Sequence, residues 1–111
     1  MTFRVENIFD DLPESIGQEQ FLTLFENGAV RIERIVSQSH SSPTGFWYDQ
    51  PEDEWVILLR GHATLEFEGG KLVEMKEGDH LAIPSHVKHR VSQTGPDTIW
   101  LAVHVKTHSI K

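Results

Sequence analysis

The chain has 111 residues, with ten Lys and Arg against seventeen Asp and Glu for a net charge of −7, and it contains no cysteine. That length suits one domain with one core, and the missing cysteine excludes disulfides, thiolate metal sites and cysteine nucleophiles, leaving His, Asp, Glu and Gln to hold any metal. The acidity, unrelieved by any basic cluster, speaks against nucleic acid; no stretch is long enough to span a membrane and the start MTFRVENIF is no secretory signal, so a soluble cytoplasmic protein is expected.

In chain order, Phe3 and Val5 alternate as in a possible strand, and Asp10 to Glu14 read as a turn or short helical piece. Residues 1–20 are expected to form an arm packing on the domain, and residues 21–111 a single barrel. Phe21 to Phe25 is apolar, Asn27-Gly28 follows, and Ala29 to Val36 is β-rich, which predicts a hairpin because both turn residues tolerate positive φ. After a polar loop, Glu54 to Arg60 is apolar on both alternating faces, Val56 and Leu58 on one and Trp55, Ile57 and Leu59 on the other, as in a strand covered on both sides. His62 to Glu68 alternates cleanly, Gly69-Gly70 predicts the next hairpin, and Lys71 to Met75, His80 to Ile83, Val87 to Gln93 and Thr98 to Val105 complete the strands. Short strands at even spacing with glycine turns and no long helical pattern indicate an all-β antiparallel sandwich or barrel.

Two polar residues fall on apolar faces. Glu54 shares its face with Val56 and Leu58, where carboxylates are rare unless paired, coordinated or protonated. His89 shares its predicted face with Val91 and Gln93, and a buried imidazole needs a partner for each ring nitrogen. His86 lies three residues earlier in a turn and could converge on the same ion or simply be an exposed turn residue, and His104, on the face of Trp100 and Ala102, could line a cavity or sit on the surface. The sequence places His40, His62, His80 and His108 at the surface.

The pattern Gly78, Pro84, His89 resembles the second motif of the cupins, G-x5-P-x-G-x2-H-x3-N, with His86 in place of the glycine and Gln93 in place of the asparagine. Glu54 and Gly61 resemble the E-x6-G that ends the first motif. The resemblance implies an antiparallel jelly-roll barrel (double-stranded β-helix) with a divalent metal in it, Glu54 and His89 standing at two of the ligand positions. Where cupins carry H-x-H, this chain offers Tyr48 and Gln50 in one register or Trp47 and Asp49 in the other. Asp49 or Gln50 could replace one histidine and His86 could enter from the other side, a mixed set suited to Zn, Ni, Mn or Fe. Alternatively, Trp47 and Tyr48 fill that space and the pocket is a metal-free aromatic cavity for a small organic ligand.

The first functional expectation is therefore a metal-dependent dioxygenase, isomerase or lyase acting on a small molecule, with Tyr48 or His104 as proton donor. The second is a non-catalytic binding or sensing module. A homodimer is expected as well, because the face bearing Trp55, Ile57 and Leu59 needs a cover that a short chain can hardly supply.

Overall fold

The computed structural model describes residues 1–107; His108 lies outside them. The strands are β1 Gln20–Glu26, β2 Val30–Ser37, β3 Asp53–Arg60, β4 His62–Phe67, β5 Lys71–Lys76, β6 His80–Ile83, β7 His89–Thr94 and β8 Thr98–Val105. They form two antiparallel sheets, one of five strands in the order β1-β2-β8-β3-β6 and one of three in the order β5-β4-β7. This is the jelly roll expected from the alternation. The inner faces meet on Val56, Leu58, Ala63, Leu65, Met75, Ile83, Trp100 and Ala102, all buried.

The turns follow local chemistry. Gly69 and Gly70 both take positive φ (95° and 86°) between β4 and β5, as a tight hairpin requires. The β1–β2 hairpin also forms at Asn27-Gly28, but neither residue adopts positive φ. The Asn27 side-chain oxygen instead accepts hydrogen bonds from the backbone N–H of Ala29 and Val30, each at 2.8 Å, an Asx-type turn. Gly61, between β3 and β4, combines φ of 87° with so close a packing that a Cβ there would lie 2.4 Å from the Asp97 carbonyl oxygen.

Three expectations are corrected. Phe3 and Val5 form no strand and are 83% and 95% exposed, so their apolar side chains find no core to bury in. The strand expected from Val87 begins at His89, because Pro84 to Lys88 is a turn in which His86 has φ of 60°. Gln93 does not share a face with His89 and Val91. The β4–β7 register shifts so that Leu65 faces Val91 but Thr64 faces Gln93, and this bulge at Ser92 turns Gln93 outward and Thr94 inward.

Arg34 of β2 and Gln38 just beyond it are among the side chains that hold the arm to the barrel, with Arg60 of β3 lying over the Phe9 ring at 4.9 Å. Arg34 Nη1 donates to the carbonyls of Ile8 (3.1 Å) and Asp10 (2.8 Å), and Gln38 Nε2 donates to that of Pro13 (3.2 Å). On the outer face, Trp55, Ile57 and Leu59 are half-buried, Trp55 lying against the His80 ring at 5.4 Å.

Candidate functional site

The site is assembled by strand register. Glu54 on β3 lies directly across from His104 on β8, and the same strand β8 pairs on its other side with β2, which brings Glu33 alongside. His89 opens β7 opposite Phe67 of β4 and is bridged on its free side by Tyr48. That bridge carries two backbone hydrogen bonds, Tyr48 N–H to the His89 carbonyl at 2.7 Å and His89 N–H to the Tyr48 carbonyl at 3.1 Å. His89 is thereby held between two rings, Tyr48 at 5.5 Å and Phe67 at 6.0 Å between centroids.

The bridge also settles the register of the degenerate first motif. With Tyr48 inward, alternation turns Asp49 outward and Gln50 inward. Tyr48 and Gln50 line the cavity with Glu54, His89 and His104. Asp49 and His86 are brought to each other, His86 Nδ1 lying 2.8 Å from Asp49 Oδ1 in an exposed pair at the turn, and neither lines the cavity.

The cavity has a volume of about 90 Å³, and the half-exposed Phe21 and partly exposed Arg31 stand at its margin. Inside it, two imidazole–carboxylate couples share one glutamate. His104 Nε2 lies 3.0 Å from Glu33 Oε1 and 3.9 Å from Glu54 Oε2, while His89 Nε2 lies 3.4 Å from Glu54 Oε1. His89 Nδ1, 2.9 Å from the Val87 carbonyl, must donate to it, which turns Nε2 toward Glu54. Burial pulls the His89 pKa down, but the hydrogen-bonding and charge of Glu54 and the Val87 carbonyl outweigh it, so the imidazole titrates above its ordinary value. At 3.4 Å the Glu54 contact is long for a charge-assisted hydrogen bond, and Glu54 Oε1, on a side chain only 10% exposed, has no hydrogen-bond partner. Gln50 Oε1 and His104 Nδ1 are also buried and unpartnered.

Tyr48 answers to the same charges. Its pKa is pushed up to about 12, by burial first and then by Glu19, Glu54 and Glu33. The phenol keeps its proton at neutral pH, with its ring stacked against that of His89.

Glu33, Glu19 and Arg31 are cavity residues that the sequence reading missed. Their signal was faint: in β2, Arg31, Glu33 and Ile35 alternate with Ile32, Arg34 and Val36, so both faces carry charge and neither announces itself as inner.

A divalent ion needs three or more donors converging with free lone pairs. Among the described residues no three His, Asp or Glu are grouped so that they could hold one. Asp49 and His86 are turned away to pair with each other, and inside the cavity His104 Nε2 is engaged by Glu33 and His89 Nε2 faces Glu54, so its imidazoles and carboxylates are set against one another. As arranged, the side chains fit acid–base couples and do not fit an ion.

No curated protein matches the sequence. Among solved structures, a candidate mannose-6-phosphate isomerase from Ralstonia eutropha JMP134 is similar at 43% identity and a TM-score of 0.89, over 94% of this chain and 99% of that one. A cupin superfamily protein from Desulfitobacterium hafniense DCB-2 (16% identity, TM-score 0.74, 86% of this chain and 84% of that) shares the fold. So does a conserved protein with a double-stranded β-helix domain from Klebsiella pneumoniae subsp. pneumoniae MGH 78578 (15%, 0.77, 94% and 90%). The cupin domain itself matches residues 35–104, which span the predicted motifs and both couples apart from Glu33. With that match and the 43% relative, this chain belongs to the cupin domain family.

Proposed function

We propose that the barrel is a proton-transfer site of the isomerase type, acting on a small α-hydroxy carbonyl compound. The observation that carries this reading is the pair of imidazole–carboxylate couples sharing Glu54 in one cavity. The likeness to a candidate mannose-6-phosphate isomerase supports the reaction class.

Glu54, whose free Oε1 faces the cavity, takes the proton from the carbon bearing the hydroxyl. The C–H electron pair becomes the C=C bond of an enediol, and the carbonyl oxygen takes the proton of His89 Nε2–H as its π pair moves onto it. In the second half, neutral His89 takes the proton of the neighbouring hydroxyl, whose oxygen becomes the new carbonyl. Glu54 returns its proton to the former carbonyl carbon, and both residues end as they began. The Val87 carbonyl fixes the tautomer that puts Nε2 to work, and the Glu54 carboxylate beside Nε2 favours the charged imidazole against the burial that opposes it. Glu33 orients the His104 ring, which stands 3.9 Å from Glu54 Oε2, and the two act as positioning residues.

The test is hydrogen exchange in D₂O. Small hydroxyaldehydes and hydroxyketones incubated with the protein lose the proton signal of the carbon beside the carbonyl, and Glu54→Gln slows this by about 100-fold or more. Exchange no faster than in buffer across the panel, or at full rate in Glu54→Gln, sinks the proposal.

A further inference from the structure

The proposed reaction leaves open what else the substrate carries, and a 43% relative described as a candidate mannose-6-phosphate isomerase points toward a phosphate. The cavity is built otherwise. Its lining holds three carboxylates, Glu19, Glu33 and Glu54, against a single guanidinium, Arg31. That guanidinium is already flanked, Nε at 3.7 Å from Glu33 and Nη1 at 3.7 Å from Glu52. Protonation of one histidine still leaves the carboxylates in excess. A dianionic phosphate entering here would lose its hydration and meet net negative charge.

The dimensions agree. The cavity offers about 90 Å³, less than the roughly 150 Å³ that an enclosed apolar cavity gives one benzene, so a hexose phosphate would have to extend out past its open margin. The walls add a second preference, since Phe21, Tyr48 and Trp100 bring three aromatic rings to a space edged by those carboxylates. Aromatic faces beside carboxylates are the surroundings that a cationic nitrogen finds in its binding sites. The Tyr48 hydroxyl registers the same field, its proton held tighter by Glu19, Glu54 and Glu33 after burial itself. Glu54 Oε1, buried and among the described residues met only by the long 3.4 Å contact of His89 Nε2, has acceptor capacity left for a ligand.

We infer that the pocket takes a compact ligand bearing a cationic nitrogen, a protonated or methylated amine, and rejects phosphorylated sugars. This rests on the barrel cavity being the working site and narrows the substrate of the proposed proton transfer to α-hydroxy carbonyl compounds that also carry an amine.

The experiment is an NMR titration of the full chain with methylammonium chloride, with inorganic phosphate, and with sodium chloride at matched ionic strength, read at the His89 and His104 ring signals. Methylammonium is expected to shift both rings saturably where sodium chloride does not, and phosphate to leave them in place. Glu33→Gln and Glu19→Gln, each close in shape to the original, should weaken methylammonium about tenfold, and at least one of the two must retain the wild-type strand spectrum for the comparison. Saturable shifts with phosphate alone, shifts matched by sodium chloride, shifts from no probe, or methylammonium binding indifferent to both variants would overturn the inference. None of these outcomes touches the proton-transfer reading, which stands or falls on deuterium exchange.

Discussion

The Glu54–His89 couple makes a prediction that can be sized from geometry. At 3.4 Å, with an effective dielectric constant of about 20, the attraction between the two charges is about 5 kcal/mol. The side chains are only 10% and 7% exposed, so the desolvation of both groups offsets much of that, and a net coupling of about 1–3 kcal/mol is expected from a double-mutant cycle. The cycle uses Glu54→Gln, His89→Ala and the double variant, each measured by urea unfolding. His89→Ala alone should be the costlier single change, because it removes the imidazole 3.4 Å from the buried Glu54 carboxylate and leaves that charge uncompensated on this side.

The pH dependence fixes the sign. The His89 pKa is raised above its ordinary value of 6.5 in the folded protein, so the couple's contribution is fully present below 6.5 and is lost as pH rises through the raised folded value. The coupling measured at about pH 6 should therefore exceed that at about pH 9, and Glu54→Gln should bring the His89 titration down, since burial then acts against the charge with only the Val87 carbonyl opposing it. A coupling near zero at both pH values, or one that grows toward alkaline pH, would refute the reasoning.

Other outcomes follow from the same structure. Gly61→Ala should cost about 3 kcal/mol or more and lower Tm by roughly 10 °C, combining positive-φ strain with a Cβ 2.4 Å from the Asp97 oxygen and 2.9 Å from Thr98 Cα; an unchanged thermal midpoint would contradict this. The melting midpoint should be indifferent to chelator and to added Zn, Ni, Mn or Fe, and a chelator-induced drop measured by calorimetry would restore the ion to the site. We also propose a homodimer through the outer face of the five-stranded sheet, where Leu22, Phe25 and Val105 are 44%, 54% and 40% exposed. Light scattering should give twice the 12.7 kDa chain mass, and Phe25→Glu should return it to one.

The strands were legible because a period of two is printed directly in the sequence. His62 to Phe67 and Asp53 to Arg60 each put their inner residues where the alternation placed them. Glu54 was legible for the same reason, a carboxylate in register with Val56 and Leu58. What local pattern could not carry was anything decided by a neighbour. The choice between Asp49 and Gln50 depends on Tyr48 bridging His89, a contact spanning forty-one positions of the chain. The bulge at Ser92, which turned Gln93 outward, is a property of the β4–β7 pair and of neither strand alone. Glu33 became a site residue only through β2 lying beside β8, two strands that are far apart in sequence.

That division explains why the fold is firmer than the site. The hydrophobic inner faces would stay apolar after a two-residue slip, since each strand offers another apolar residue two positions on. The couples tolerate no slip. A one-residue slip of β3 against β8 would turn Glu54 to the outer face, leave His104 facing the core without its second carboxylate, and place Trp55 where the carboxylate had been. The register is thus held from both ends: by Gly61, which alone fits against Asp97 and Thr98 where β3 turns into β4, and by the Tyr48–His89 bridge at the other edge of the cavity. The glycine and histidine that make the family's motifs recognisable are, in this chain, the residues that keep two buried charges within reach of each other.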